Sequence, residues 1–207
     1  MLKQLAPLAL AAALVAPAAA QHMRVGIQSD PNMLDPGQSA AYVERIVFAP
    51  LCDKLVDVGP DLSLRPELAT AWSWSADAMA LTLTLRADGR FHDGGAIDAQ
   101  AVAANLERYR TARESRRRAE LAAVRAIEVD SPTQITIRLE KPFAPLVSVL
   151  ADRAGMMLSP AALAAQGARI HENPVCSGPF RFIRRVAQDG PQPHARHVYL
   201  CRARCLA

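Results

Sequence analysis

The chain has 207 residues, 51% of them hydrophobic and 21% charged, which supplies an ordinary core and excludes a wholly disordered chain. Its formal charge of +4 sits at the two ends, because Lys3, Arg196, Arg202 and Arg204 lie outside residues 21–189, where basic and acidic residues balance. A neutral body lacks the clustered excess that a phosphate backbone requires, so no nucleic-acid partner is expected.

Residues 1–20 read as a secretory signal peptide. Lys3 precedes an apolar run over 5–15 that only Pro7 interrupts, and Ala18 and Ala20 place small residues before a cut at Gln21. The run is too short and alanine-rich to span about 30 Å of hydrocarbon. The residue directly after the cut is Gln21 rather than a cysteine, and no later segment holds eighteen uninterrupted apolar residues, so a periplasmic chain without a lipid anchor is expected.

Residues 24–28 predict a first strand, and 29–38 a loop rich in Asp, Asn, Pro and Gly. Residues 40–48 predict a helix with Val43, Ile46 and Val47 on one face. The apolar stretch 51–58 ends at a Gly59-Pro60 turn, and 66–71 reads as a single helical turn. The alternation Leu81-Thr82-Leu83-Thr84-Leu85 predicts a half-buried strand with leucines inward. Asp98 predicts the N-cap of a helix reaching about Arg110, carrying Val102, Asn105, Leu106 and Tyr109. The run Arg113, Arg116, Arg117 and Arg118 reads as a solvated face. Residues 124–130 and 135–139 predict a hairpin about a turn at 131–134. Short helices over 142–150 and 160–166, a Pro/Gly loop over 173–179 and a strand over 180–186 complete a mixed α/β chain without repeats.

Few residues suggest catalysis. Phe91-His92-Asp93-Gly94 reads as a tight exposed turn, the alternative being a His92–Asp93 dyad or metal site. No nucleophile motif of the G-x-S-x-G kind accompanies it. The four cysteines, Cys52, Cys176, Cys201 and Cys205, allow three full pairings. Cys201 and Cys205 have metal-like spacing near His194 and His197, but no second ligand pair follows, so neither a metal nor another cofactor is expected.

Five blocks in this order resemble solute-binding protein family 5, the peptide, nickel and oligosaccharide receptors of ABC importers. They are RVGIQSDPNMLDP (24–36), FAPLCDKLVDVGPDLSLRPELATAWSWS (48–75), ALTLTLRADGRFHDGGAIDAQAVAANLER (80–108), AIEVDSPTQITIRLEKPFAPLVSVLA (126–151) and NPVCSGPFRF (173–182). The resemblance implies a type II periplasmic-binding-protein-like α/β fold with an extra accessory domain. It maps 21–50 to the start of the first large lobe, 51–174 to the accessory α/β domain and 175–189 to the return into that lobe. Family members are more than twice this length, so the first lobe is expected to be incomplete and the closing lobe absent. Residues 190–207 have no acidic residue and are rich in Arg, His, Pro, Ala and Cys; they are expected to be an out-of-frame or disordered tail.

The implied function is binding without catalysis: an extracytoplasmic receptor, expected to be a monomer, that takes a solute, most simply a peptide, to permease subunits in the inner membrane. The alternatives are a non-functional truncated remnant and a small exported hydrolase using His92 and Asp93. In the family, residues after the first strand face the ligand cleft, which points to Asn32, Met33, Gln38 and Tyr42. Cys176 stands where the family usually has a small residue and reads as a small buried hydrophobe, with a bridge to Cys52 as the alternative.

Overall fold

The computed structural model describes residues 25, 27–186 and 197–202. The expected signal peptide and most of the expected tail lie outside the described residues. A four-stranded antiparallel sheet of order β3-β4-β6-β5 organises the middle of the chain, with β3 at Ala69–Trp74, β4 at Ala80–Leu85, β5 at Val124–Ser131 and β6 at Gln134–Leu139. The alternation of β4 works as expected: Leu81, Leu83 and Leu85 are buried, and Thr84 is exposed. Leu81 pairs with Ile137 and Leu83 with Ile135, so one face of the two central strands is entirely aliphatic. On the other face Thr82 and Thr136 meet hydroxyl to hydroxyl at 3.1 Å, and Thr136 donates to Asp130 Oδ2 at 2.6 Å.

Helix α2, Ala99–Thr111, covers the aliphatic face. Asp98 caps it by accepting the Ala101 N–H at 2.8 Å. Val102, Leu106 and Tyr109 are buried on one stripe, each side chain contributing about 1.5–3 kcal/mol. Asn105, on the same stripe, is fully buried and satisfied. It donates to Ala101 O and Leu158 O at 2.9 and 2.8 Å and accepts the Leu158 N–H at 3.0 Å.

A second cluster gathers Leu34, Val47, Phe48, Leu51, Cys52, Met156, Leu158, Ala162, Ile170, Cys176 and Phe182. It joins helix α1 (Tyr42–Leu51), the 156–170 segment and strand β7 (Phe180–Val186). Strand β8, His197–Arg202, pairs antiparallel with β7 and adds Val198 and Leu200 to this cluster. Part of the expected tail is therefore ordered as a strand, because its alternating apolar residues have a partner edge.

Several local expectations are corrected. Val25, Ile27 and Gln28 belong to no strand. The stripe of α1 runs through Val43, Val47, Phe48 and Leu51, which leaves Ile46 40% exposed. Residues 66–71 are not a helical turn: β1 (Val56–Val58) pairs with β2 (Leu64–Pro66), and β3 begins at Ala69. Leu68 and Ala69 donate their N–H groups to Lys54 O and Leu55 O at 3.0 and 2.9 Å, and these partners outweigh a helical turn. The helix expected over 142–150 shrinks to α3, Leu146–Val149, since Pro142 and Pro145 restrict the residues before it. Helix α4 occupies Pro160–Gln166 as expected, capped by Ser159.

Candidate functional site

The loop entering α1 is built around two buried carboxylates. Asp35, 0% exposed, accepts from Gly37 N–H at 2.9 Å, Gln38 Nε2 at 3.0 Å and Arg108 Nη1 at 3.1 Å, and also pairs with Arg108 Nη2. Burial alone would lower the Arg108 guanidinium, but the Asp35 carboxylate reverses this and raises it. Glu44, in the first turn of α1, accepts the N–H groups of Met33, Ala40 and Ala41, each at 3.0 Å. The loop is thus held at both ends by charge-assisted bonds.

Three arginines from distant parts of the chain converge where this loop meets α1. Arg117, 5% exposed, donates to Ser39 O at 3.0 Å and to Glu120 at 2.5 Å. Arg153, 8% exposed, donates from Nη1 to Ser39 O and Oγ at 3.3 Å and to Ala41 O at 3.4 Å. Arg45 pairs with Asp152 and lies over the ring of Tyr42, 5.9 Å from its centroid. In each of the three, the Nε–H is buried with no acceptor among the described residues. Burial pulls the Arg153 guanidinium below its ordinary value, the repulsion of Arg117 and Arg45 adds to this, and Asp152 and Glu120 oppose it. Three cations thus face two carboxylates, an arrangement that a bound anion would complete.

The expected site residues divide. Tyr42 is 69% exposed at the edge of the arginine group. Gln38 spends its amide on Asp35, and Met33 gives its N–H to Glu44. Asn32 is drawn to β7, where its backbone and side-chain oxygens accept from Arg185 at 3.2 Å each. Sequence reasoning missed the arginines. Arg117 was hidden in a run read as solvated, whereas Arg153 carried a signal: with Asp152 it is the only charged interruption of a largely apolar stretch from 142 to 158.

The turn at 91–95 serves packing. Gly94 has φ +90°, which suits glycine. His92 donates its N–H to Cys176 O at 2.7 Å, and its Nε2 lies 2.8 Å from Gly178 O. Asp93 takes the Gly95 N–H at 3.0 Å and the Ser159 hydroxyl. His92 Nε2 and Asp93 are thus engaged with Gly178 and Ser159 rather than with each other, while His92 Nδ1 is buried without a partner among the described residues. Among the described residues, no group of three His, Cys, Asp or Glu side chains could hold a metal.

Cys176, expected first as a buried thiol, is instead disulfide-bonded to Cys52, with Cα atoms 4.8 Å apart. The bridge holds loop 173–179 against the end of α1, and Gly178 donates to Leu51 O at 2.9 Å beside it. A Cβ on Gly178 would lie 2.6 Å from the Leu51 carbonyl carbon, so the approach requires glycine. Of Cys205 nothing is described, and Cys201 is placed only as part of β8.

Comparison with known proteins agrees with the resemblance. The family model for bacterial extracellular solute-binding proteins, family 5 (Middle), matches residues 63–190. The glutathione-binding protein GsiB of Salmonella paratyphi A is 34% identical over 183 residues, which cover 87% of this chain and 36% of that protein. GsiB of Escherichia coli O6:K15:H31 is 32% identical over 181 residues, 86% of this chain and 35% of that protein. The chain therefore spans about a third of the length of these relatives. Among solved structures, AgaA from A.tumefacien R10 in complex with agropinic acid superposes with TM-score 0.70 at 28% identity, covering 84% of this chain and 34% of that one. NikA from Brucella suis superposes with TM-score 0.71 at 24% identity, covering 84% and 34%, which shows the periplasmic-binding-protein fold. With the family model covering more than half of it, this chain belongs to the bacterial extracellular solute-binding proteins, family 5.

Proposed function

We propose that the chain is the portion of an ABC-importer receptor that grips a carboxylate-bearing solute, with Arg45, Arg117 and Arg153 beside residues 39–42 as the recognition group. The observation that carries this is the cationic surplus. Besides the neutral oxygens of Ser39 and Ala41, the three guanidinium groups have only the carboxylates of Asp152 and Glu120 as ion-pair partners among the described residues, and their Nε–H groups lack acceptors there. Guanidinium groups suit carboxylates because their planar donors match two oxygens at once. The relatives support this solute class. GsiB is named for glutathione, a tripeptide with two carboxylates, and AgaA was solved with agropinic acid. A small peptide is the solute that best combines these likenesses.

In this reading Tyr42 forms the rim, and Asn32, Met33 and Gln38 position the loop. Residues 51–174 act as an accessory module that supplies Arg117 and Arg153. Residues 1–20 direct export to the periplasm, and the receptor delivers its solute as a monomer to an inner-membrane permease.

Calorimetric titration with glutathione and simple dipeptides tests the reading. Binding is expected to weaken at least tenfold in R153Q and to recover partly in R153K, with urea denaturation confirming that both variants fold. Equal affinity of wild type and R153Q, or the same loss in R153Q and R153K, refutes it.

A further inference from the structure

We propose a second anion site on the opposite use of the same arginine-rich segment: an open cleft of about 550 Å³, lined by Arg110, Arg116 and Arg118 over Leu121 and Val124, that takes a phosphate group. Residues 115–121 form no regular helix or strand, yet their backbone is fixed at several points. Arg116 N–H donates to Gly37 O at 2.8 Å and Arg117 N–H to Ser115 Oγ at 3.1 Å. Ser115 Oγ donates to Tyr109 O at 2.7 Å, and Leu121 N–H donates to Arg117 O at 3.1 Å. Arg117 is turned inward and buried, which places its neighbours Arg116 and Arg118 outward and exposed.

The charge of this cleft is only partly compensated. Arg116 and Arg118 have no carboxylate partner among the described residues, Arg110 holds Glu107 at 2.7 and 3.1 Å, and Glu140 is the only acidic residue of the lining. Two guanidinium groups on a fixed backbone can bind phosphate oxygens without the backbone ordering cost of a flexible run. The cleft is open, and a small solute would gain too little burial there to be held firmly. A phosphate group anchored by something larger, such as an anionic phospholipid headgroup at a membrane surface, fits an open basic cleft. The same chemistry would accept a soluble phosphate, and experiment separates the two sources.

Sedimentation of the full chain with vesicles of phosphatidylglycerol and phosphatidylcholine, compared with phosphatidylcholine alone, tests the lipid source. Calorimetry with inorganic pyrophosphate tests the soluble one. At about fivefold per arginine, R116Q/R118Q is expected to weaken binding about twenty-five-fold with an unchanged melting temperature. The control R90Q/R169Q removes two exposed arginines elsewhere and is expected to have a much smaller effect. If the double variant melts lower, R118Q alone serves, with an expected loss of about fivefold. Binding in either assay with that selective loss supports the site and names its source. Absence of binding in both assays, retention by R116Q/R118Q, or an equal loss in R90Q/R169Q overturns it.

Discussion

Removing the Cys52–Cys176 bridge is the sharpest perturbation of the fold that the structure suggests. The two cysteines are 124 residues apart, so the closed loop includes the whole four-stranded sheet and α2. Loop-closure entropy for that length gives a ceiling of about 5 kcal/mol, and native disulfides typically contribute about 2–5 kcal/mol. Both sulfurs belong to residues no more than 1% exposed, inside the second cluster, so the reduced pair still packs and the loss is chiefly the constraint on the unfolded chain. In a C201S/C205S background, C52S/C176S is expected to lower the urea midpoint by roughly 1–2.5 M, taking a slope of about 2 kcal/mol per M. Wild type under reductant should behave like the variant. A midpoint within about 0.3 M of wild type, or two alkylatable thiols at 52 and 176 in the oxidised protein, would refute the reasoning.

Leu83 is fully buried in β4, so L83D buries an unpaired carboxylate at a cost of several kcal/mol and should abolish cooperative unfolding by circular dichroism. Burial pushes the Glu67 carboxyl from 4.5 to about 7, Asp53 and Asp57 adding to the rise against Lys54. The folded chain therefore keeps a proton that the unfolded chain releases, and stability declines as pH rises from 4.5 towards 7; E67Q should flatten that decline in melting temperature. His92 has the opposite sign: burial lowers it from 6.5, with Arg181 adding and Gly178 O opposing. Its contribution is present above pH 6.5 and is lost as pH falls below that value, so H92Q should soften acid unfolding and leave the neutral range less changed.

Elements governed by short-range patterning were legible in the sequence. The Leu81-to-Leu85 alternation, the Asp98 cap and the hairpin after Val124 need only neighbours in the chain or a single turn. The segment 66–71 was not legible as a strand, because its hydrogen bonds go to Lys54, Leu55 and β4, and a local reading cannot supply those partners. The site failed for the same reason. Ser39, Arg117 and Arg153 meet across 78 and 114 residues of sequence, and an arginine bound for the interior looks in sequence like one bound for water. The disulfide was visible only as one alternative, since cysteine counts do not fix pairing.

The central claim is that an anionic solute is read by the arginines around Ser39 and Tyr42. Nitrogen–proton spectra of the arginine Nε–H groups, followed while glutathione is added to millimolar concentration, test it directly. The account predicts saturable shifts of the Arg153 and Arg117 signals, followed by Arg45, with those of Arg90 and Arg169 unmoved. Saturable binding that leaves the Arg117 and Arg153 signals in place, or that shifts all exposed arginines alike, would contradict it.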